Sequence, residues 1–329
     1  MGTMLSTTSP IPTTELRAFY TKVLLRAAQP ELLHTRFGQE DVVPLNYGPQ
    51  IQFRKFANLA RATSALTEGS SGANTAFSIT AVIASLGQYG QWVEGTELLQ
   101  ARTIDDIIAE VTTKLGEAAG DTIDVLTRNI LIAGTNVQRE SAQAESRMYV
   151  ASLLTVTALR KAVRTLKTAN AKPFKFGNKL RYVAIAHPNA LYDLLSDSTL
   201  SSAMQYGYGS DLSENKANLI DGQIAPVLDV VGVRIFETTN ASVLASYGWS
   251  AGDVYNTLVI AKDAYGVVKQ TGMSMQTYYT PADTPDKSDP LHQRWILGWK
   301  ACHTAVILNE DNMVRIEHGS SADALDSSH

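Results

Sequence analysis

Residues 289–308 read DPLHQRWILGWKACHTAVIL. Two tryptophans, two histidines and the chain's only cysteine fall within these twenty positions, so the stretch is either a reactive centre or a packed strand. Alternation favours the strand. From residue 294 onward one face carries Trp295, Leu297, Trp299, Ala301, His303, Ala305 and Ile307, and the other Ile296, Gly298, Lys300, Cys302, Thr304, Val306 and Leu308. Successive side chains of a strand point to opposite faces, and here both faces are largely apolar, as in a strand covered on two sides. Gly298 between two tryptophans marks a close approach or a bulge.

The same alternation tests the chemistry. Adjacent Cys302 and His303 project to opposite faces, so they cannot easily share a metal. Zinc needs three or four ligands at characteristic spacing. There is no second cysteine; His292 lies eleven residues from His303, and His34, His187, His318 and His329 are scattered without an i, i+4 pair. A thiol nucleophile would need a partner brought in by the fold, whereas a free cysteine is most often a small buried hydrophobe. Cys302 therefore reads as a core thiol.

Other motifs carry less. The chain has no P-loop and no H-E-x-x-H; GSSGAN has the wrong spacing for a nucleophile elbow, and YGYGS at 206–210 lacks the third glycine of a dinucleotide fingerprint. The Asp105 and Asp106 pair sits where a helix's first turn favours acids. No enzyme signature and no cofactor or metal site emerges.

Composition sets the class. The chain has 329 residues, 44% hydrophobic and 18% charged, with a net charge of -4 and a pI near 5.9. That is a globular chain of one elaborate domain or two ordinary ones. Its acidic balance argues against a dedicated nucleic-acid binder. One cysteine excludes an internal disulfide framework and is compatible with a reducing cytoplasm. The start, MGTMLSTTSPIPTTE, lacks a signal-peptide pattern, and no run of about 18 apolar residues suggests a membrane span. Met1, Gly2 and Ser6 match a myristoylation pattern short enough to arise by chance, and the sequon at Asn240 matters only in a secreted protein.

Along the chain, a Ser, Thr and Pro-rich tail (1–12) precedes a predicted helix at 15–29, capped by Thr14 and stopped by Pro30. From residue 50, IQFRKFANLARA and AFSITAVIASLGQYGQWVEGT flank a turn-rich loop and predict a long hairpin. Its outer half, 57–76, has few large apolar side chains and should project from the body, leaving edges that another chain would receive. A strut helix is predicted over 104–133, roughly 45 Å long, with Thr103 and Asp106 as a capping box variant and Gly134 as its end. Gly116 and Gly120 inside it imply tight packing against a neighbour. A helix at 156–171 buries Leu159, Val163 and Leu166, after which strands alternate with short helices in a mixed α+β unit.

Between 155 and 181 the chain holds Arg160, Lys161, Arg164, Lys167, Lys172, Lys175, Lys179 and Arg181 without one acid. This basic face is either a solvated helix surface, a contact with phosphate, or a contact with the acidic strut of a neighbouring copy. The strut carries Asp105, Asp106, Glu110, Glu117, Asp121 and Asp124.

This order of parts resembles the major capsid proteins of tailed bacteriophages, of the Hong Kong 97-type fold. The specific stretches are LTEG (66–69), GQYGQWVE (87–94), RNILIAGTN (128–136), LRKAVRTLKTANAKPF (159–174), VAIAHPNALYDLLSD (183–197), VVGVRIFETTNA (230–241), KDAYGVV (262–268) and ILNEDNMVRIEHG (307–319), with DPLHQRWILGWK of the opening. The resemblance covers nearly the whole chain. It implies an N-terminal arm (1–49), an E-loop hairpin (50–95), a P-domain with the spine helix (96–154), an A-domain (155–272), returning P-domain strands (273–319) and a tail (320–329).

It also implies a structural, non-enzymatic protein without cofactors. Copies would form hexamers and pentamers of an icosahedral shell around double-stranded DNA, assembled in the host cytoplasm with scaffolding, portal and decoration proteins as partners and no membrane. Expected inter-subunit contacts are Arg54, Lys55, Glu68, Tyr89, Trp92 and Glu94; Arg160, Lys161, Arg164 and Lys167 form the basic face. Some relatives cross-link their shells through a hairpin lysine and a neighbour's asparagine, but residues 56–76 here hold no lysine. An encapsulin-type compartment, which shares the fold, and a two-domain α/β enzyme are the alternatives.

Overall fold

A computed structural model describes residues 13–322 apart from 29–31, 45, 47, 57–58, 60, 62, 64, 66–67, 70–75, 104–105, 141–145, 201–227, 249–251, 283–290 and 292. The N-terminal tail, Asp105, the glycines at 206–210, His292 and His329 thus lie outside the described residues.

Helix α1 (Thr13–Ala28) is followed by β1 (Gln39–Val43), β2 (Gln50–Phe56) and β3 (Ile79–Ser85). Strands β2 and β3 pair antiparallel from Gln50 opposite Ser85 to Phe56 opposite Ile79, which is the expected hairpin. The expected hairpin is shorter than its sequence pattern, because β4 (Gly87–Thr96) leaves it to pair with residues 294–303. Tyr89 and Val93 explain the departure: on alternate positions of β4, they pack toward a core that the hairpin does not possess.

After α2 (Glu97–Arg102) comes the strut, α3 (Ile107–Ile132), 26 residues and so about 39 Å long. Its cap differs from the predicted box. Asp106 is itself the N-cap, accepting from the Ala109 N–H at 3.3 Å, while Thr103 closes α2 by donating to the Leu99 carbonyl. Strand β5 (Val137–Arg139) and α4 (Val156–Thr168) follow, α4 ending at Asn170 with φ 57°, a left-handed cap residue. Then come β6 (Phe174–Phe176), β7 (Lys179–Ala186), α5 (Pro188–Leu195), β8 (Leu228–Val230), β9 (Val233–Glu237), β10 (Val243–Leu244), β11 (Val254–Ile260), β12 (Tyr265–Gln270), β13 (Gln276–Thr280), β14 (Arg294–Ile307) and β15 (Met313–His318).

Besides the β2–β3 ribbon, two sheets organise these strands. One is ordered β5-β15-β11-β7-β9-β8, with β10 on β11 and β6 on β7. Both of its faces are buried: Ala184, Ala186, Val259 and Ile316 pack under α4 and α5, and Val183, Ile185, Leu258 and Ile260 pack with Phe37, Tyr265 and Leu131. The other sheet is built on β14, which pairs with β4, β12 and β13, while β1 runs parallel to β12. Sequence neighbours β11 and β12 therefore belong to different sheets.

The opening stretch is a central strand, but its two faces are unequally covered. Trp295, Leu297, Trp299, Ala301, His303 and Ala305 are buried, with the first four packed against Leu115, Ala119 and Ile123 of α3. On the reverse face Gly298 and Cys302 are buried, whereas Ile296, Lys300, Thr304 and Val306 are half-buried. A Cβ at Gly298 would stand 2.9 Å from that of Trp92, the close approach that its position between two tryptophans predicted. Gly116 serves the same end, since a Cβ there would meet the Leu24 carbonyl oxygen at 2.7 Å and push α1 off α3. Among the described residues no helix is long and apolar enough to cross a membrane.

Candidate functional site

The hairpin is anchored at its root, and one face of its described part is exposed. Opposed residues of an antiparallel pair share a face, so Phe53 and Val82 point one way and Arg54 and Ala81 the other. Phe53 is buried with Val43, Ala84 and Val268, and its ring fills the space beside Gly266. On the outer face Ile79 and Ile83 are 54% and 60% exposed, and Phe77 and Leu59 are exposed as well. These four were not among the expected contacts, because which isoleucines face outward depends on a register that alternation within one strand leaves open.

The six expected contacts separate by face. Arg54 lies on the solvent face between Ile79 and Ile83, and Glu68 is exposed near the hairpin's end. Lys55, on the opposite face, donates to Asn309 Oδ1 at 2.7 Å within its own chain. Trp92 projects outward from β4, 63% exposed, and Glu94 on the same side meets Arg294 at 3.5 Å. Tyr89 points inward and is partly buried against the α3 core.

The four cations of α4 are all exposed. Lys161 turns toward Glu140 at 3.2 Å, whereas Arg160, Arg164 and Lys167 line a shallow groove of about 450 Å³ together with Val163, Thr168 and Val231. Of the strut's acids, Asp124 must be removed from the surface set. It is fully buried, accepting from His34 N at 2.6 Å with one oxygen and meeting His34 Nδ1 at 2.6 Å with the other. Its place on the α3 face that also holds Gly120, Thr127 and Leu131 turns it inward.

The residues that suggested catalysis are structural. His303 Nε2 meets Thr127 Oγ1 at 2.9 Å on the buried face, and Cys302 is buried on the reverse face. Burial pushes the His303 imidazole down to about 4, aided by Lys269 and opposed by Asp124, so the ring is neutral near pH 7. His318, bonded to Thr257 at 2.9 Å, is likewise pushed down to about 4 by burial. Burial alone would raise the Glu317 carboxyl, but hydrogen bonding from Arg147 and the charges of Arg315, Arg147 and Arg139 hold it below the usual range. Among the described residues no group of three or more His, Cys, Asp or Glu side chains is placed to hold a metal. What the surface offers is an apolar hairpin face and complementary charged helices, which suit contact with other protein.

The phage capsid protein family profile matches residues 79–316. Among solved structures, the chain is similar to the capsid of cyanophage P-SCSP1u, at 14% identity and TM-score 0.64 over 88% of this chain and 89% of that one. It is similar also to the capsid asymmetric unit of cyanophage Pam1, at 16% identity and TM-score 0.62 over 98% and 97%. A virus-like particle from Pyrococcus furiosus shares the fold more distantly, at 12% identity and TM-score 0.51 over 92% and 99%. No curated protein matches the chain.

Proposed function

The chain belongs to the phage capsid protein family, and from that premise we propose how its surfaces work in a phage head. It is a major capsid protein of the Hong Kong 97-type fold, a structural chain and not an enzyme, located in the capsid of the virion. We read its copies as forming the hexamers and pentamers of an icosahedral shell around packaged double-stranded DNA. In this reading they assemble in the host cytoplasm with scaffolding and portal proteins and, where present, decoration proteins.

The observation that carries the reading beyond the family is the hairpin. Its root is buried through Phe53, while Ile79 and Ile83 of β3, with Leu59 and Phe77 just beyond the paired strands, stand exposed. A lone soluble chain with such a ribbon risks aggregation, whereas a neighbouring copy that covers it converts the same residues into interface area. Arg54 lies beside that apolar surface; we read it, with Glu68, Trp92 and Glu94, as further contacts to neighbouring copies, while Tyr89 supports β4 from inside. We take the division as 1–49 for the arm, 50–95 for the E-loop, 155–272 for the A-domain, and 96–154 with 273–319 for the P-domain; the sheets cross it, since β5 and β15 lie in the sheet of β7, β9 and β11, and β12 lies in that of β14. The pairing of β4 with β14 supports placing the joint between E-loop and P-domain at residues 87–96. An encapsulin-type compartment would share the architecture, but the family match favours the phage head.

Negative-stain microscopy and sedimentation of the chain, expressed alone and with its scaffold, test the proposal. Closed particles of uniform size are expected; a stable monomer or dimer under both conditions would overturn it.

A further inference from the structure

We propose that the cationic stripe of α4 docks on the acidic stripe of α3 in a second copy of this chain, an inference that rests on the shell-forming reading above.

On α4 the apolar side, Leu159, Ala162, Val163 and Leu166, is buried. Arg160, Arg164 and Lys167 follow at i, i+4 and i+7 and so form one row on the solvent side. Among the described residues two acids lie near this row. Glu140 takes Lys161, a quarter turn away, and Asp197 faces Arg160 while accepting from the backbone N–H groups of Val156 and Thr199. Three cations therefore line one groove whose apolar contribution comes from Val163 and Val231.

Val231 sharpens the choice of partner. It occupies the two-residue turn between β8 and β9 with φ 53°, a conformation that costs a β-branched side chain, and it remains 39% exposed. An apolar residue held at the edge of a cationic groove suits a protein surface better than a phosphate backbone, which offers charge but no apolar contact.

The complementary surface is on the chain itself. Asp106, Glu110, Glu117 and Asp121 fall within about 60° of arc on α3, on the side away from Leu115, Ala119 and Ile123. Lys114, paired with Glu117 at 2.9 Å, and Arg128, whose charge interacts with that of Asp121, lie in the same row, and the four acids still leave it net acidic. Within one chain the stripes belong to different bodies: α3 packs on α1 and β14, and α4 covers a face of the eight-stranded sheet. Contact between unlike surfaces of successive copies is head-to-tail, the kind that closes into rings. Each ion pair is weak when exposed, so the effect depends on repetition round a ring and should fade with salt.

The test is charge reversal and exchange in the full chain, read as yield of closed particles at low and high salt. Thermal unfolding confirms that each variant folds. R160E/R164E/K167E and, separately, E110K/E117K/D121K should each lower the yield by about tenfold or more, and the combined variant should recover most of it. Wild-type yield from either single-stripe variant, or no recovery on combination, overturns the proposal while leaving the shell reading intact. Full yield with less enclosed nucleic acid from the α4 variant overturns it in favour of a nucleic-acid surface. A wild-type chain that forms no particle removes the shell reading and this inference together.

Discussion

His34 and Asp124, ninety residues apart in the chain, meet through Nδ1 and Oδ2 at 2.6 Å, both fully enclosed. The pair ties the connection after α1 to the middle of α3, and the Tyr265 hydroxyl donates to the His34 carbonyl from β12. Three parts of the chain are thereby fixed at one point.

Asp124→Ala leaves the His34 ring and backbone N–H without their acceptor in a site closed to water. A loss of about 3–5 kcal/mol is expected, because breaking one side of a buried pair strands the other. Urea denaturation measures it; a loss under about 1 kcal/mol would show that the clamp carries little.

Acid should destabilise the fold through His303 and His318. Both are neutral in the folded chain, with values pushed down to about 4, whereas in the unfolded chain they take up a proton below about 6.5. Their contribution is complete above about pH 6.5 and is lost as pH falls toward 4, by up to about 3 kcal/mol each. The lowered Glu317 carboxyl adds a loss of the same sign at lower pH. Unfolding midpoints followed from pH 7 to 4 should drop, and His318→Gln should flatten the slope; a midpoint independent of pH would sink the idea.

Cys302 and Trp299 separate packing from chemistry. Cys302→Ala should leave particle yield unchanged, since the thiol only fills space. Trp299→Ala opens a cavity between β14 and α3, costs about 3–5 kcal/mol and should abolish assembly. Loss of particles on Cys302→Ala alone would contradict this.

The turn at Val231 and Gly232, with φ of 53° and 79°, is of the kind that favours asparagine followed by glycine. Val231→Asn should raise the stability of the free chain by about 1 kcal/mol. If Val231 also supports docking, the same variant gains stability yet assembles less well; calorimetry beside particle yield distinguishes the two effects.

Residues 56–76 contain no lysine, and Lys55 is bonded to Asn309 of its own chain. Shells boiled in denaturing detergent should run as single chains on a gel. A ladder of covalent oligomers would be the contrary result.

Local pattern was enough to identify β14, the strut helix, α4 with its cationic row, and the β2–β3 hairpin, because alternation and helical spacing are written in neighbouring residues. The close approaches at Gly116 and Gly298 were legible too, since a glycine inside a regular element needs a reason in its surroundings. Tertiary structure alone decided that β4 belongs with β14, that β11 and β12 part into separate sheets, and that Asp124 faces His34. It also decided that Ile79 and Ile83 face outward while Phe53 anchors the root. Each of these depends on which surface is nearest in space, set by long-range strand register and helix rotation, and no window of adjacent residues contains that information.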